Sequence, residues 1–152
     1  MRLALFQPDI PQNVGAAIRL SACLGVELDI IEPCGFPLGD RGLRRAALDY
    51  GPLARVDRHA DFAGFSSGAA AAGRRLVLLT TQSPVRLYDF AFDPDDILLV
   101  GRESAGAPDE VHTAVQARIR IPLAPCARSM NVVTAAAIAL GEALRQTAAG
   151  PV

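Results

Sequence analysis

The stretch Ile121–Arg145 reads IPLAPCARSMNVVTAAAIALGEALR and joins two segments of opposite character. Its first half contains two prolines three positions apart, which lack amide donors and fix φ, so an irregular loop is predicted there. The second half, Val132–Leu144, is rich in Ala and Leu and contains no Pro, and this composition predicts a helix. Ser129 or Asn131 is suited to cap that helix, because a side-chain oxygen accepts from its first free amides.

A loop with free backbone groups that runs into a helix N-terminus is a natural ligand site. The stretch is equally well explained as an ordinary capped helix after a proline-rich turn. Taken alone it leaves both explanations open, so the rest of the chain has to supply the evidence for a site.

The size and composition of the chain predict one globular domain over residues 1–152. The chain is 51% hydrophobic, and a domain of this length buries roughly two thirds of its unfolded surface. It has no apolar run of about 18 residues that could span a membrane. The N-terminal apolar run is too short for a signal peptide, so a cytoplasmic location is expected. A net charge of −1 argues against a purely electrostatic nucleic-acid binder.

The cysteines and histidines give no sign of a metal site. Cys23, Cys34 and Cys126 are odd in number and widely spaced, and none belongs to a CxxC or Cys/His pattern. Reduced, mostly buried thiols are therefore expected. His59 and His112 have no partner at metal-ligand spacing, and each is interpreted as a surface or structural histidine.

Short apolar runs alternate with helical patterns along the chain. The continuous apolar runs Arg75–Thr81 and Ile97–Gly101 are typical of strands that are buried on both faces. This alternation predicts an α/β fold with a mostly parallel sheet and helices on both faces. Further strands are predicted at Arg2–Phe6, Glu27–Glu32, Arg55–Val56 and Arg118–Ile121. Helices are predicted from about Val14 to Leu24 (capped by Asn13 and ended by Gly25 in the left-handed conformation) and at Asp40–Tyr50, Asp61–Ala72 and Pro108–Val115.

In open parallel sheets ligands bind beyond the carboxyl ends of the strands. The loops after Leu79, Val100 and Ile121 qualify. The second of these loops reads GRESAG at 101–106 and matches neither a dinucleotide-binding GxGxxG nor a P-loop. Glu103 would repel pyrophosphate and would instead suit hydroxyls, an amine or a cation. Alone, this motif is equally typical of a tight turn with a surface acid.

Three spaced motifs give a sharper signal when they are taken together. They are N-x-G-x-x-x-R at 13–19, G-x-E-x-x-G-x-P at 101–108 and I-P-L-x5-S-x-N at 121–131, in this order on an α/β frame. In all three the chain resembles the SPOUT superfamily of RNA ribose methyltransferases. IIEPCGF at 30–36 and LRRAALDYG at 43–51 are similar to its small bacterial branch, the tRNA (cytidine/uridine-34-2′-O)-methyltransferases.

The resemblance extends from Leu3 to Gln146 and implies both a fold and an activity. The fold would include a C-terminal trefoil knot. The activity would be transfer of a methyl group from S-adenosylmethionine to the ribose 2′-hydroxyl of the wobble nucleotide, which leaves S-adenosylhomocysteine and needs no metal. A homodimer acting on the tRNA anticodon stem-loop is implied. The alternatives are 2′-O-methylation at another tRNA or rRNA position, or a non-catalytic nucleotide- or RNA-binding module.

The resemblance also implies roles for individual residues, carried over motif by motif. Arg19 would activate the ribose hydroxyl, and because a guanidinium stays protonated, we interpret it as a phosphate-binding electrostatic activator. Two residues depart from the family pattern: Gly141 stands where an aromatic residue is usual, and Arg102 where an uncharged one is. The other catalytic candidates are Asn13, Glu103, Ser129 and Asn131. The cofactor-binding candidates are Leu79, Thr80, Gly101, Glu103, Ile121, Leu123, Ser129 and Met130.

Overall fold

The computed structural model describes residues 1–39, 50 and 53–147, and in this part of the chain six strands form one parallel sheet. The strands are β1 (Arg2–Phe6), β2 (Glu27–Ile31), β3 (Val56–His59), β4 (Leu76–Leu79), β5 (Ile97–Val100) and β6 (Ala117–Ile119). Their order is β3-β2-β1-β5-β4-β6, and all neighbours pair in parallel. The helices are α1 (Pro11–Leu24), α2 (Phe62–Ala71), α3 (Asp109–Ala114) and α4 (Val132–Thr147), with a short 3₁₀ helix at Leu87–Asp89. The predicted α/β class is confirmed.

The sheet is covered on both faces, which explains why its central strands are apolar throughout. Helices α1 and α4 pack on one face, where Ile18 and Leu140 join the larger hydrophobic core. Helices α2 and α3 supply Phe65 and Val111 to a second core on the other face. Because alternate residues of a strand point to opposite faces, every position of a central strand meets a core.

Two element boundaries differ from the sequence-based expectation for local reasons. Helix α1 begins at Pro11, not near Val14, because proline is well accommodated in the first turn. Its capping position is Ile10, whose side chain makes no capping hydrogen bond, so the expectation that Asn13 caps the helix is wrong. Gly25 ends α1 with φ 67°, the left-handed conformation that was expected.

The remaining boundaries are shifted by a few residues, and one expected helix cannot be compared. Asp61 caps α2 by accepting from the amide of Gly64 at 2.7 Å. Strand β3 lies later than the predicted Arg55–Val56. The predicted runs Arg75–Thr81 and Ile97–Gly101 are shortened to β4 and β5, and the run Arg118–Ile121 is shifted to Ala117–Ile119. Pro108 precedes α3 rather than starting it. The predicted helix Asp40–Tyr50 lies almost entirely outside the described residues.

The expectation of mostly buried thiols is wrong. Cys23 is exposed on α1 and Cys126 is exposed in the proline-rich loop, where its φ is 74°. Cys34 is half-buried, and burial raises the pKa of its thiol to about 11. A thiol with this pKa is protonated at neutral pH and is therefore a poor nucleophile.

None of the helices in the described residues combines the length and the apolar composition that crossing a bilayer requires.

Candidate active site

A cavity of about 450 Å³ lies beyond the carboxyl ends of β4, β5 and β6. Three loops and the first turns of α1 and α4 form its wall, as expected for a parallel sheet. All eight residues predicted to bind a cofactor line this cavity, and so do four of the five predicted catalytic residues, two of which are also in the cofactor set. The lining includes Leu79, Thr80, Gly101, Glu103, Ile121, Leu123, Ser129, Met130, Asn13 and Asn131.

Side-chain hydrogen bonds connect the three sequence motifs at the cavity wall. The Asn13 amide Nδ2 donates to Glu103 Oε1 at 2.9 Å, and the Asn131 amide Nδ2 donates to Asn13 Oδ1 at 3.0 Å. The second oxygen of Glu103 accepts from the backbone amide of Asp9 at 3.0 Å. Glu103 is therefore held by two donors instead of standing free on a surface turn, and Asn13 is the link between the other two motifs.

Asn131 also caps α4, which decides between the two capping candidates. Its Oδ1 accepts from the backbone amides of Val133 at 2.9 Å and Thr134 at 3.1 Å. The helix start and the cavity wall thus share one side chain. Ser129 is exposed and lies in the loop before the cap.

Replacing Asn131 by alanine removes the cap, and we expect this to lower the free energy of unfolding by about 1 kcal/mol and the melting temperature by about 2–4 °C. Asn131→Ser keeps an oxygen that can cap the helix, so its melting temperature should stay close to that of the wild type. Both variants lose the amide that donates to Asn13. Thermal unfolding without ligand measures the difference, and equal melting temperatures for the two variants would contradict the capping role.

The glycines at 101 and 106 shape the second loop as a tight turn. Arg102 and Gly106 exchange two backbone hydrogen bonds, at 3.0 and 2.9 Å, and Gly106 has φ 70°. A Cβ on Gly101 would lie 2.5 Å from the carbonyl carbon of Gly106 and 2.6 Å from the nitrogen of Ala107. Gly101 therefore allows the two arms of the turn to touch, and this turn places Glu103 opposite Asn13.

Arg102, one of the two departures from the family pattern, makes a side-chain contact with the end of β1. Its Nη2 donates to Gln7 Oε1 at 2.7 Å, and Gln7 itself adopts a left-handed φ of 44°. The Nε of Arg102 is buried and has no hydrogen-bond partner among the described residues. Arg102 thus ties the second loop to the end of β1, and it lines the cavity as well.

Arg19 lies away from the cavity of its own chain. Its guanidinium carbon is 5.0 Å from the centre of the Tyr50 ring, an exposed cation–π contact. Of the two catalytic candidates on α1, only Asn13 lines the cavity. Six residues on a helix are separated by about 9 Å along the axis and by about 120° around it, so the two side chains leave α1 in different directions.

Sequence reasoning missed several residues of the cavity wall. Ile10 is 40% exposed at the start of α1 and lines the cavity, as do Gln82 and Ala135. Helical spacing gives a signal for Ala135, because it follows Asn131 by four positions and shares its face. Ile10 carried no comparable signal. Among the described residues, no group of three or more His, Cys, Asp or Glu is arranged to hold a metal ion.

Comparison with known proteins identifies related sequences over almost the whole chain. The model of the SpoU rRNA Methylase family matches residues 1–141. The tRNA (cytidine(34)-2′-O)-methyltransferase of Beijerinckia indica is 57% identical over 147 residues, which are 97% of this chain and 92% of the relative. The protein of the same name from Escherichia coli K12 is 40% identical over 148 residues, 96% of this chain and 93% of the relative.

Solved structures with the same fold include RNA methyltransferases. One, described as giving structural insights into the 2-OH methylation of C/U34 on tRNA, has a TM-score of 0.88 at 39% identity and covers 95% of this chain and 94% of its own. The SpoU methyltransferase AviRb from Streptomyces viridochromogenes in complex with AdoMet has a TM-score of 0.83 at 26% identity. That match covers 96% of this chain and 60% of the AviRb chain.

Proposed function

The chain belongs to the SpoU rRNA methylase family, and we propose that it transfers a methyl group from S-adenosylmethionine to the ribose 2′-hydroxyl of the wobble nucleotide, cytidine or uridine 34, of tRNA. The observation that carries this proposal is the hydrogen-bonded set Asn13, Glu103 and Asn131, which joins three distant motifs at the wall of one cavity. The near full-length relatives of that name support the choice of substrate. We also expect a cytoplasmic location, since tRNA is found there.

The cavity fits S-adenosylmethionine in size and in lining. Its volume of about 450 Å³ lies in the range of small-molecule sites. Leu79, Ile121, Leu123 and Met130 offer apolar contacts to an adenine ring, and the free backbone groups of the proline-rich loop suit the edges of that ring. When bound, the cofactor supplies an activated methyl group. No metal is needed for that transfer, because correct placement of the acceptor is the main requirement.

The chain's own residues orient the acceptor hydroxyl and favour its ionised form. Asn13 and Glu103 fix each other and present polar groups to a ribose, while Ser129 and Asn131 lie beside them in the third loop. Arg19 binds the phosphate next to the target nucleotide and stabilises negative charge on the 2′-oxygen. Since the guanidinium does not give up a proton, the hydroxyl proton leaves to a phosphate oxygen or to water.

The remote position of Arg19 supports a homodimer with composite sites. Arg19 does not line the cavity of its own chain, and its neighbours Ala16 and Cys23 on α1 are exposed. Helix α4 carries half-buried apolar residues, among them Val133 and Ile138, that a second copy can cover. In such a dimer Arg19 of one protomer reaches the cavity of its partner. The C-terminal trefoil knot remains a prediction from the family resemblance.

Transfer of labelled methyl groups to tRNA that lacks ribose methylation tests the proposed function. We expect the label at the ribose of nucleotide 34, mapped by nuclease digestion and mass spectrometry. Label at another nucleotide would keep the chemistry and overturn the position. If S-adenosylhomocysteine stabilised the protein in a thermal shift assay but no RNA were methylated, the non-catalytic binding module would be the better description.

A further inference from the structure

The arginines at the amino ends of the strands are compensated by nearby carboxylates. Arg2 pairs with Asp29 and Arg75 pairs with Asp96, each with 2.7 Å between nitrogen and oxygen, and both acids are buried. Because these positive charges are neutralised locally, they add little to the field that a distant polyanion meets. Other described arginines with a carboxylate oxygen within 4.0 Å, in more exposed contacts, are Arg55, Arg58, Arg74, Arg86 and Arg145.

Three arginines at the β6 edge of the sheet have no buried carboxylate as a partner among the described residues. We call Arg86, Arg118 and Arg120 the edge-strand arginines. In the described part of the chain, Arg118 and Arg120 have no carboxylate oxygen within 4.0 Å, and Arg86 has one exposed contact with Asp89, at 3.9 Å. An exposed pair of that length contributes little free energy. This edge therefore carries net positive charge in a chain whose total charge is −1.

The backbone directs the edge-strand arginines to one face of the sheet. Arg118 and Arg120 flank Ile119, which is fully buried in the larger core, so both arginine side chains point to the other face. The amide of Arg120 donates to the carbonyl of Val85 at 2.9 Å, and the amide of Leu87 donates to the carbonyl of Arg120 at 2.8 Å. This parallel bridge pairs Arg86 with Arg120. Since Leu87 is buried in the same core as Ile119, Arg86 points away from that core as well.

A groove of about 820 Å³ lies on that face, between α3 and the loop after β4. Arg118 lines it together with His112 and Ser83. Asp109 also lines the groove but lies more than 4.0 Å from any arginine nitrogen of the described residues. The groove is open to solvent, as binding of a polymer backbone requires.

At two places in the chain, residues of the groove side and residues that line the 450 Å³ cavity are adjacent in sequence. Gln82 lines the cavity and Ser83 lines the groove. In the same way Ile121 lines the cavity, and Arg120 comes directly before it. Arg118 and Arg120 are about 7 Å apart along the strand. A nucleic-acid strand with one ribose in the cavity would therefore pass its neighbouring phosphates over these side chains.

We propose that the edge-strand arginines bind the phosphate backbone of the tRNA anticodon stem-loop beside the nucleotide whose ribose enters the cavity. This inference rests on the proposed function and names the surface that holds its substrate. The planar fork of arginine matches phosphate geometry. Contacts of this kind fix the position of the RNA without reading its sequence. They give a nearly neutral single domain a local positive surface that its overall charge does not reveal.

The double variant Arg118→Gln/Arg120→Gln tests the inference against the control Arg55→Gln/Arg74→Gln, which removes the same charge at the amino ends of the strands. We expect the edge variant to raise the KM for tRNA at least tenfold, with kcat at saturating tRNA within twofold of the wild type. The slope of log binding constant against log salt should fall by about 1.4, or about 0.7 for each single-strand phosphate contact that is lost. The control should change neither quantity.

Two further measurements distinguish a variant that has lost tRNA binding from a variant that does not fold. Thermal stabilisation by S-adenosylhomocysteine shows whether each variant is folded. If Arg118→Gln/Arg120→Gln is not folded, Arg86→Gln/Arg118→Gln takes its place, because it changes only exposed side chains. Arg118→Lys/Arg120→Lys keeps the charge and should retain most of the affinity. If the edge and control variants have equal KM values and salt slopes while the wild type still methylates tRNA, the inference is overturned and the proposed function is not. Wild-type protein that methylates no tRNA would instead refute the proposed function.

Discussion

Arg19→Ala is expected to lower kcat for methyl transfer by about 100- to 1000-fold, the range seen when a single preorganised charge-stabilising group is removed. The affinity for S-adenosylhomocysteine should stay within twofold, because the proposed partner of Arg19 is an RNA phosphate and not the cofactor. Arg19→Lys should remain at least tenfold impaired, since an ammonium cannot bind a phosphate in the bidentate way of a guanidinium. Steady-state rates at saturating tRNA measure kcat for both variants, and calorimetry measures the affinity for S-adenosylhomocysteine. An Arg19→Lys enzyme at the full wild-type rate would refute the geometric role.

Mixed dimers test whether Arg19 acts on the partner's cavity. One protomer carries Arg19→Ala, and the other carries Gly101→Ala, which disables the cavity. If the site is composite, a mixed dimer has one of its two sites intact. About half of the dimers in a random equal mixture are mixed, so the population recovers about a quarter of wild-type activity. If each site belonged to one chain, mixing would recover nothing. The experiment requires that each variant alone is inactive and dimeric.

Much of the fold could be predicted because its signal is local. The buried strands Leu76–Leu79 and Ile97–Val100 are continuous apolar runs, and Gly25 marks the end of α1 by its left-handed φ. The predicted strand Arg75–Thr81 is too long at its end because the residues after Leu79 form part of the cavity wall. Thr80 and Thr81 are β-branched and so favour a strand, yet they lie in a loop that lines the cavity. Propensity alone does not distinguish a strand residue from a loop residue that follows it.

The role of Asn13 was predicted wrongly because its hydrogen-bond partners are distant in the sequence. Asparagine near a helix start is a good capping residue, but this side chain bonds Glu103, 90 positions away, and Asn131, 118 positions away. The caps at Asp61 and Asn131 follow the local rule, because their acceptors face amides of their own helices. Motif order predicted that these residues share a cavity. The hydrogen bonds between them, and the separation of Arg19 from Asn13, required the fold.

Gly101→Ala is expected to abolish methyl transfer through the backbone rather than through lost chemistry. Its methyl group would lie 2.5 Å from the Gly106 carbonyl carbon and 2.9 Å from the Gly106 oxygen, distances at which something must move. Both atoms belong to a turn that two hydrogen bonds hold closed, so the turn has to open. Overpacking of this kind typically costs about 1–3 kcal/mol. Opening the turn also withdraws Glu103 from Asn13 and changes the cavity wall.

The measurement is binding of S-adenosylhomocysteine to Gly101→Ala by calorimetry, with Gly68→Ala as the matched control. We expect at least a tenfold weaker affinity for Gly101→Ala. Gly68 makes the same chemical change on α2, where a new methyl group meets nothing within 4 Å, and alanine there should stabilise the helix by about 1 kcal/mol. Unchanged affinity in Gly101→Ala would show that the turn tolerates a side chain. The second loop would then hold the ligand by some means other than the close contact of its two arms.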